Sequence, residues 1–394
     1  MKRLSILWIL QVVILIVFSS STLLSQELIL SGLPATEAVC LPEDIPSQPA
    51  KDWYIARTKE IGIAQKVPII QVAYKTRDRK FFFETANFDF VTASPDLSTV
   101  FLSCSMSKPV FAYIVLRLVD KGLIDIDRPL YEYTDGILED RFCNAIPKKV
   151  KASERNEEWA KRLTARIVLT HGTGLPNWME KRGEGKIVFE NEPGKKYTYS
   201  GEGFHYLQRV VEHITGKTLN ELADEEVFIP LGMVSSSYKW RKEYAVTHAY
   251  GYDENMVKGT QYENTLPHIF DNTHENSAYT LRTNVKDYSL FLEALMEGRG
   301  LKPETFKEMV SLQRALDASG NTYTGLGIRV HPNKQSDYGP MWQHGGSTYN
   351  FRCWFCIFPK EKSYFVYFTN SSNGYGATQQ ALYKLFFPQY SESK

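Results

Sequence analysis

Cysteine is scarce and odd in number: five in 394 residues, at Cys40, Cys104, Cys143, Cys353 and Cys356. That scatter excludes a disulfide framework. Cys353-Trp354-Phe355-Cys356 has CxxC spacing, but the second cysteine pair that a zinc site needs is missing. The segment also has the composition of a strand, where residues three apart face opposite ways, so the two cysteines are expected as small apolar residues in a sheet. Neither sign of charge is in excess, with 46 Lys+Arg against 45 Asp+Glu. A chain so balanced offers no broad basic field, and nucleic acid is not an expected partner. No repeat and no low-complexity tract is present. The 43% apolar and 23% charged content is that of an ordinary globular protein, and the length allows a large core in two lobes or domains.

Long hydrophobic runs are also few. One run, Leu4 to Phe18, follows Lys2-Arg3 and gives way to Ser19-Ser20-Ser21-Thr22. A basic start, an apolar middle and a small polar exit have the form of a secretory signal. The alternative is an uncleaved anchor reaching to Leu24, which would tether the protein to a membrane. In either case the remainder is expected outside the cytoplasm, periplasmic or extracellular. The expected division is a signal or anchor over 1–25, an N-terminal extension over 26–50 and one catalytic domain over 51–390.

Periodicity supplies the elements. Lys51 to Ile63 and Met106 to Lys121 have helical spacing, the second with Pro109 near its start and Gly122 just past its end. Further helices are expected near Leu163–Leu169, Gly203–Ile214, Thr218–Val227, Val285–Met296, Pro303–Leu312 and Thr378–Phe387. Val67–Tyr74, Lys80–Phe90, Gly325–Val330, Asn350–Phe358 and Ser363–Asn370 are expected as strands. Strands at both ends with helices between imply an α/β (α+β) fold. Its sheet lobe takes about 51–104 and 321–390, and its helical lobe about 105–320. Ile146 to Arg162 mixes both charge signs, as a solvated insertion does.

Ser105-Met106-Ser107-Lys108 is an S-x-x-K, and so are Ser236…Lys239 and Ser391…Lys394. Only Ser105 stands between a strand-like approach and a long apolar helix. A serine at a helix start can turn its own N–H toward an oxyanion. A lysine one turn on shares its face and, if desolvated, can take the serine proton. Two other segments carry chemistry. Tyr197-Thr198-Tyr199-Ser200-Gly201 offers a tyrosine whose proton a nearby cationic lysine would loosen. Gln343-His344-Gly345-Gly346-Ser347, just before the strand expected near Asn350, offers a cation or donor, glycines that admit close approach, and the N–H of Ser347 as a second oxyanion donor.

In this order and spacing the three segments resemble the serine β-lactamase and penicillin-binding-protein family, nearest to its class C β-lactamase, D-alanyl-D-alanine carboxypeptidase, D-aminopeptidase and esterase branch. Leu163 to Pro176, Val227 to Met233 and Tyr323 to Ile328 resemble further stretches of that family, so the likeness covers about Asp52 to Phe387. It implies a β-lactamase/transpeptidase-like fold, an antiparallel sheet flanked by helices, and no metal or other cofactor. It implies that Ser105 is the acylated nucleophile, Lys108 its partner and Tyr199 the general base and acid. His344, Gly345 and Gly346 stand on the K-T-G motif, and Ser105 with Ser347 on the oxyanion hole. His171 matches a structural position. Gly201 stands where penicillin-hydrolysing relatives carry an asparagine that binds the substrate's acylamino group. The expected activity is therefore that of a serine hydrolase acting on an ester, amide or D-amino-acid peptide. A non-hydrolysing penicillin-binding or sensor module, or a true β-lactamase, are the alternatives.

Overall fold

Segments rich in β-branched and aromatic residues, drawn from both ends of the chain, pair into an eight-stranded antiparallel sheet. Its order is Lys80–Ala86, Ile69–Lys75, Ser363–Thr369, Phe351–Phe358, Met341–Thr348, Arg329–His331, Tyr323–Thr324 and Arg314–Ala315. The computed structural model describes residues 49–91, 97–134, 157–178, 189–259, 275–332, 338–348 and 350–388. The run Leu4–Phe18, Cys40, Cys143, most of Ile146–Arg162 and Ser391…Lys394 lie outside them. Among the described residues no helix is long and apolar enough to cross a membrane.

Helix α1 (Lys51–Ala64) leads into β1 (Ile69–Lys75) and β2 (Lys80–Ala86). The short β3 (Phe101–Leu102) then runs into a 3-10 turn (Cys104–Met106) and α2 (Ser107–Asp120). The mostly helical middle contains α3 (Gly201–Thr215), β4 (Arg282–Thr283) and α4 (Val285–Glu297). The chain returns to the sheet through β5 (Arg314–Ala315), β6 (Tyr323–Thr324), β7 (Arg329–His331), β8 (Met341–Thr348), β9 (Phe351–Phe358) and β10 (Ser363–Thr369), and closes with α5 (Ala377–Phe386). Apolar periodicity explains the two faces. On β9, Cys353, Phe355 and Ile357 point into the core shared with α2 and α4. Trp354, Cys356 and Phe358 point the other way, onto α1 and α5, where Tyr54 stacks on Phe386 with ring centroids 4.8 Å apart. The two cysteines of the CxxC spacing thus belong to opposite layers, as the period of two requires.

The main departures from the sequence reading lie in the C-terminal third. Seven strands, β4 to β10, occur there among the described residues, not three. Gly325–Val330 is not one strand: Gly327 has φ +80° and its segment turns between β6 and β7. The expected strand over Lys80–Phe90 stops at Ala86. Gln343-His344-Gly345-Gly346-Ser347 does not precede a strand but forms the body of β8. Two adjacent glycines depress strand propensity, and the pairing of β8 with both β7 and β9 overrides it.

Candidate active site

α2 is almost wholly buried, with Val110, Phe111, Ala112, Tyr113, Ile114, Val115 and Leu116 all in the core. It is the axis against which the site is built. Gly122, at φ +73°, stops it as expected. Ser105 does not sit in α2 itself but in the 3-10 turn before it. Cys104, immediately upstream, has φ +50°, a conformation that a side chain with a Cβ rarely adopts. The strain is held in place from both sides. Met106 N–H donates to the Ser103 carbonyl at 3.0 Å, and the Ser107 hydroxyl donates to the Cys104 carbonyl at 2.6 Å. Such strain persists only where the surroundings over-determine it, and Ser105 is the residue that follows it.

Lys108 has no exposed surface. Its Nζ donates to the Ser105 hydroxyl at 3.3 Å and to the Ala278 carbonyl at 2.9 Å. The Tyr199 ring centroid lies 4.8 Å from Nζ and the Phe204 ring 5.6 Å. Burial without a carboxylate partner lowers its pKa to about 7. The neutral amine, which can accept a proton, is therefore accessible near neutral pH.

Tyr199 precedes the N-cap of α3. The Ser200 side chain caps that helix by accepting from Gly203 N–H at 2.9 Å. His171 holds the tyrosine's backbone on both sides: its carbonyl accepts from Thr198 N–H at 2.7 Å, and its Nδ1 accepts from Ser200 N–H at 3.1 Å. Its ring lies 4.2 Å from the Tyr199 ring, centroid to centroid. Burial and the neighbouring Lys108 keep His171 neutral, its pKa well below the usual value. It is a packed, hydrogen-bonded positioning residue, as the sequence reading expected. Among the described residues the buried Tyr199 hydroxyl has no hydrogen-bond partner. Burial pushes its pKa up to about 12, and the nearby Ser105 hydroxyl opposes that rise without reaching hydrogen-bond geometry. This corrects one expectation. Lys108 lies against the ring face, its own charge is weakened by burial, and it does not loosen the phenolic proton.

Of the two roles expected of His344, cation or donor, the structure leaves the donor. His344 lies on the β8 face that also carries Gly346, buried, with Nδ1–H donating to the Gly345 carbonyl at 2.8 Å. Burial first, then the charges of Arg329 and Lys108, lowers its pKa to about 3. It is a neutral imidazole and supplies no cation. The fixed charge near the site belongs to Arg329 of β7, which the sequence reading missed. Only the pairing of Arg329 with Gln343 brings it beside the motif, and its positive charge bears on Tyr199, His171 and His344 together.

Gly346 explains why β8 carries adjacent glycines. A Cβ there would meet the Ser103 carbonyl oxygen at 2.3 Å, the Cys353 sulfur at 2.5 Å and the Cys104 Cβ at 3.1 Å. The strand therefore lies directly on the turn that carries Ser105, with Ser347 next in line. Gly346→Ala is expected to cost about 1–3 kcal/mol of stability by overpacking and about 10²-fold in turnover by shifting β8 away from Ser105. Thermal melts and steady-state kinetics check both. The other S-x-x-K within the described residues is a coincidence of sequence: Ser236 is buried and bonded to Asp287 at 2.9 Å, while Lys239 is exposed.

A model of the β-lactamase family matches residues 82–386. The chain belongs to that family. Among curated relatives it is 23% identical over 269 residues to the acyltransferase mokF of Monascus pilosus, covering 61% of this chain and 62% of that protein. It is 24% identical over 261 residues to a D-aminopeptidase of Brucella anthropi, covering 64% of this chain and 46% of that protein. The match therefore spans less than two thirds of each relative's length. Among solved structures, the octameric penicillin-binding protein homologue from Pyrococcus abyssi superposes with a TM-score of 0.67 at 18% identity, covering 86% of this chain and 77% of that one. The β-lactamase/transpeptidase-like fold expected from the sequence is thereby shown, and the motif segments of this family member converge on one place in it.

Proposed function

We propose that this member of the β-lactamase family is a serine hydrolase working through an acyl-enzyme on Ser105. The observation that carries the proposal is the buried Lys108 amine, 3.3 Å from the Ser105 hydroxyl and with a pKa of about 7. Neutral Lys108 takes the Ser105 proton as Oγ attacks a carbonyl carbon. The N–H groups of Ser105 and Ser347 receive the oxyanion. Tyr199, a neutral phenol with its hydroxyl beside Ser105, donates its proton to the departing oxygen or nitrogen, and the proton held on Lys108 restores it. Water then attacks the acyl-enzyme by the reverse path, leaving free Ser105 and a carboxylic acid.

The substrate class supported by the site is an ester, amide or D-amino-acid peptide. The names of the relatives, an acyltransferase and a D-aminopeptidase, fit attack on an acyl group. Gly201 removes the asparagine expected of a penicillin hydrolase, and neutral His344 offers a substrate carboxylate no charge. Both features favour a less anionic substrate. The test is incubation with a fluorophosphonate, mapping of the adduct, and multiple-turnover assay on p-nitrophenyl esters. An adduct on Ser105 together with repeated turnover is expected. A folded protein that leaves Ser105 unmodified defeats the mechanism, and a stable adduct without turnover makes the chain a binding or sensor module.

A further inference from the structure

Gly201 is not an empty position. A Cβ there would meet the Trp178 ring at 2.6 and 2.8 Å and the Asn177 carbonyl oxygen at 2.9 Å. The indole thus stands where a side chain at this position would begin. It is held there by the start of α3. Gly201 N–H donates to both the carbonyl (3.1 Å) and the side-chain oxygen (3.0 Å) of Asn177, and Glu202 N–H donates to the same carbonyl at 3.2 Å. Four orphan donors stand at any helix start, and Asn177 takes two of them, which fixes the residue that follows it. The Trp178 ring then meets the Tyr279 ring edge to face, centroids 5.5 Å apart at 88°. Tyr279 follows Ala278, whose carbonyl binds Lys108. Gly201 lies two residues beyond Tyr199. Trp178 and Tyr279 therefore bracket the ends of the two segments that hold the proton-transfer groups.

We infer that Trp178 and Tyr279 form an aromatic wall beside Ser105 that selects apolar or aryl acyl groups lacking an amide next to the scissile carbonyl. The inference rests on the proposed acyl-enzyme at Ser105. An asparagine at position 201 would present a carbonyl and an amide to an acylamino group. An indole in that volume presents mainly a π-face and a ring edge, which an aryl or branched alkyl group matches. An acylamino group placed there would lose its water and find no partner on the ring face. The same wall leaves no room to restore the asparagine unless the indole is first removed.

The experiment compares three p-nitrophenyl esters, acetyl, phenylacetyl and N-acetylglycyl, on the full chain and its variants. The wild type is expected to favour phenylacetyl over N-acetylglycyl in kcat/KM by about tenfold or more. Trp178→Ala is expected to lower the phenylacetyl-to-acetyl ratio by a similar factor. A merely structural loss would reduce both esters alike and leave the ratio unchanged. The double variant Trp178→Ala/Gly201→Asn is expected to gain on N-acetylglycyl relative to acetyl. If Trp178→Ala melts below the assay temperature, Trp178→Leu replaces it, keeping an apolar side chain without the aromatic face. A wild type that prefers N-acetylglycyl, or variants that leave the ratios unmoved, overturn the inference while acylation of Ser105 keeps the proposed function standing. Failure of every ester to acylate Ser105 overturns both.

Discussion

Ser105→Ala is expected to lower kcat by about 10⁴-fold or more on any ester that the wild type turns over. It removes the attacking oxygen and nothing else. The 3-10 turn remains pinned by the Ser103 and Cys104 carbonyls, β8 still lies on it through Gly346, and Lys108 keeps its bond to the Ala278 carbonyl. The melting temperature should therefore stay within a few degrees of wild type. Activity that survives the substitution, or an adduct found elsewhere on the variant, would assign the nucleophile to another residue. In the proposed mechanism Oγ is the covalent partner, so no rearrangement of the other groups can compensate. Residual rate would come only from binding and from the N–H groups facing the oxyanion.

Lys108→Met is expected to do two opposite things. Activity should fall about 10²–10⁴-fold, the usual worth of a positioned base, and the protein should become more stable at neutral pH. The buried amine is the reason for both. Its pKa in the folded state is about 7 against the ordinary 10.5. The unfolded chain therefore binds a proton, between about pH 7 and 10.5, that the folded chain sheds. Stability must rise with pH across that window, because the penalty for burying the cation is fully present below about 7 and is relieved as the unfolded lysine deprotonates near 10.5. Methionine has similar length and no charge to bury, so the variant loses this slope. Its advantage should be largest at about pH 7 and fade toward 10.5. Thermal melts across the window read the stability. The same ionisation sets the wild-type rate profile, in which kcat/KM should climb through about pH 7 and then level, with Tyr199 still protonated because its own pKa is about 12. A rate profile flat from about pH 5 to 9 would remove Lys108 from the role of base.

Much of this was legible in residue order, for reasons that can be named. α2 shows in the sequence because a fully buried helix repeats apolar residues at helical spacing and Gly122 marks its end at φ +73°. Cys353 and Cys356 could be placed on opposite faces because a strand alternates strictly. β8 was not legible as a strand. Its glycines weaken strand propensity, and what they provide, room for the Ser103 carbonyl at Gly346, is a contact with residues more than two hundred positions away in the chain. Arg329 was missed for the same reason, since nothing near it in sequence marks it and the β7–β8 register alone sets it beside the motif.

The sequence by itself determined which side chains are available to the chemistry and the helix that presents Lys108, with Ser105 in the turn just before it. Ser105 and Lys108 lie one turn apart, and spacing of that kind is fixed by local backbone geometry. Only the tertiary structure decided their states. It lowered the pKa of Lys108 by surrounding it with rings and a single carbonyl, and it kept Tyr199 a phenol and His344 an uncharged imidazole by burial. It also filled the space above Gly201 with Trp178. Desolvation, the field of a distant arginine and the occupancy of a volume are sums over neighbours in space, and the order of residues along the chain does not contain them until the sheet and helices have closed around the site.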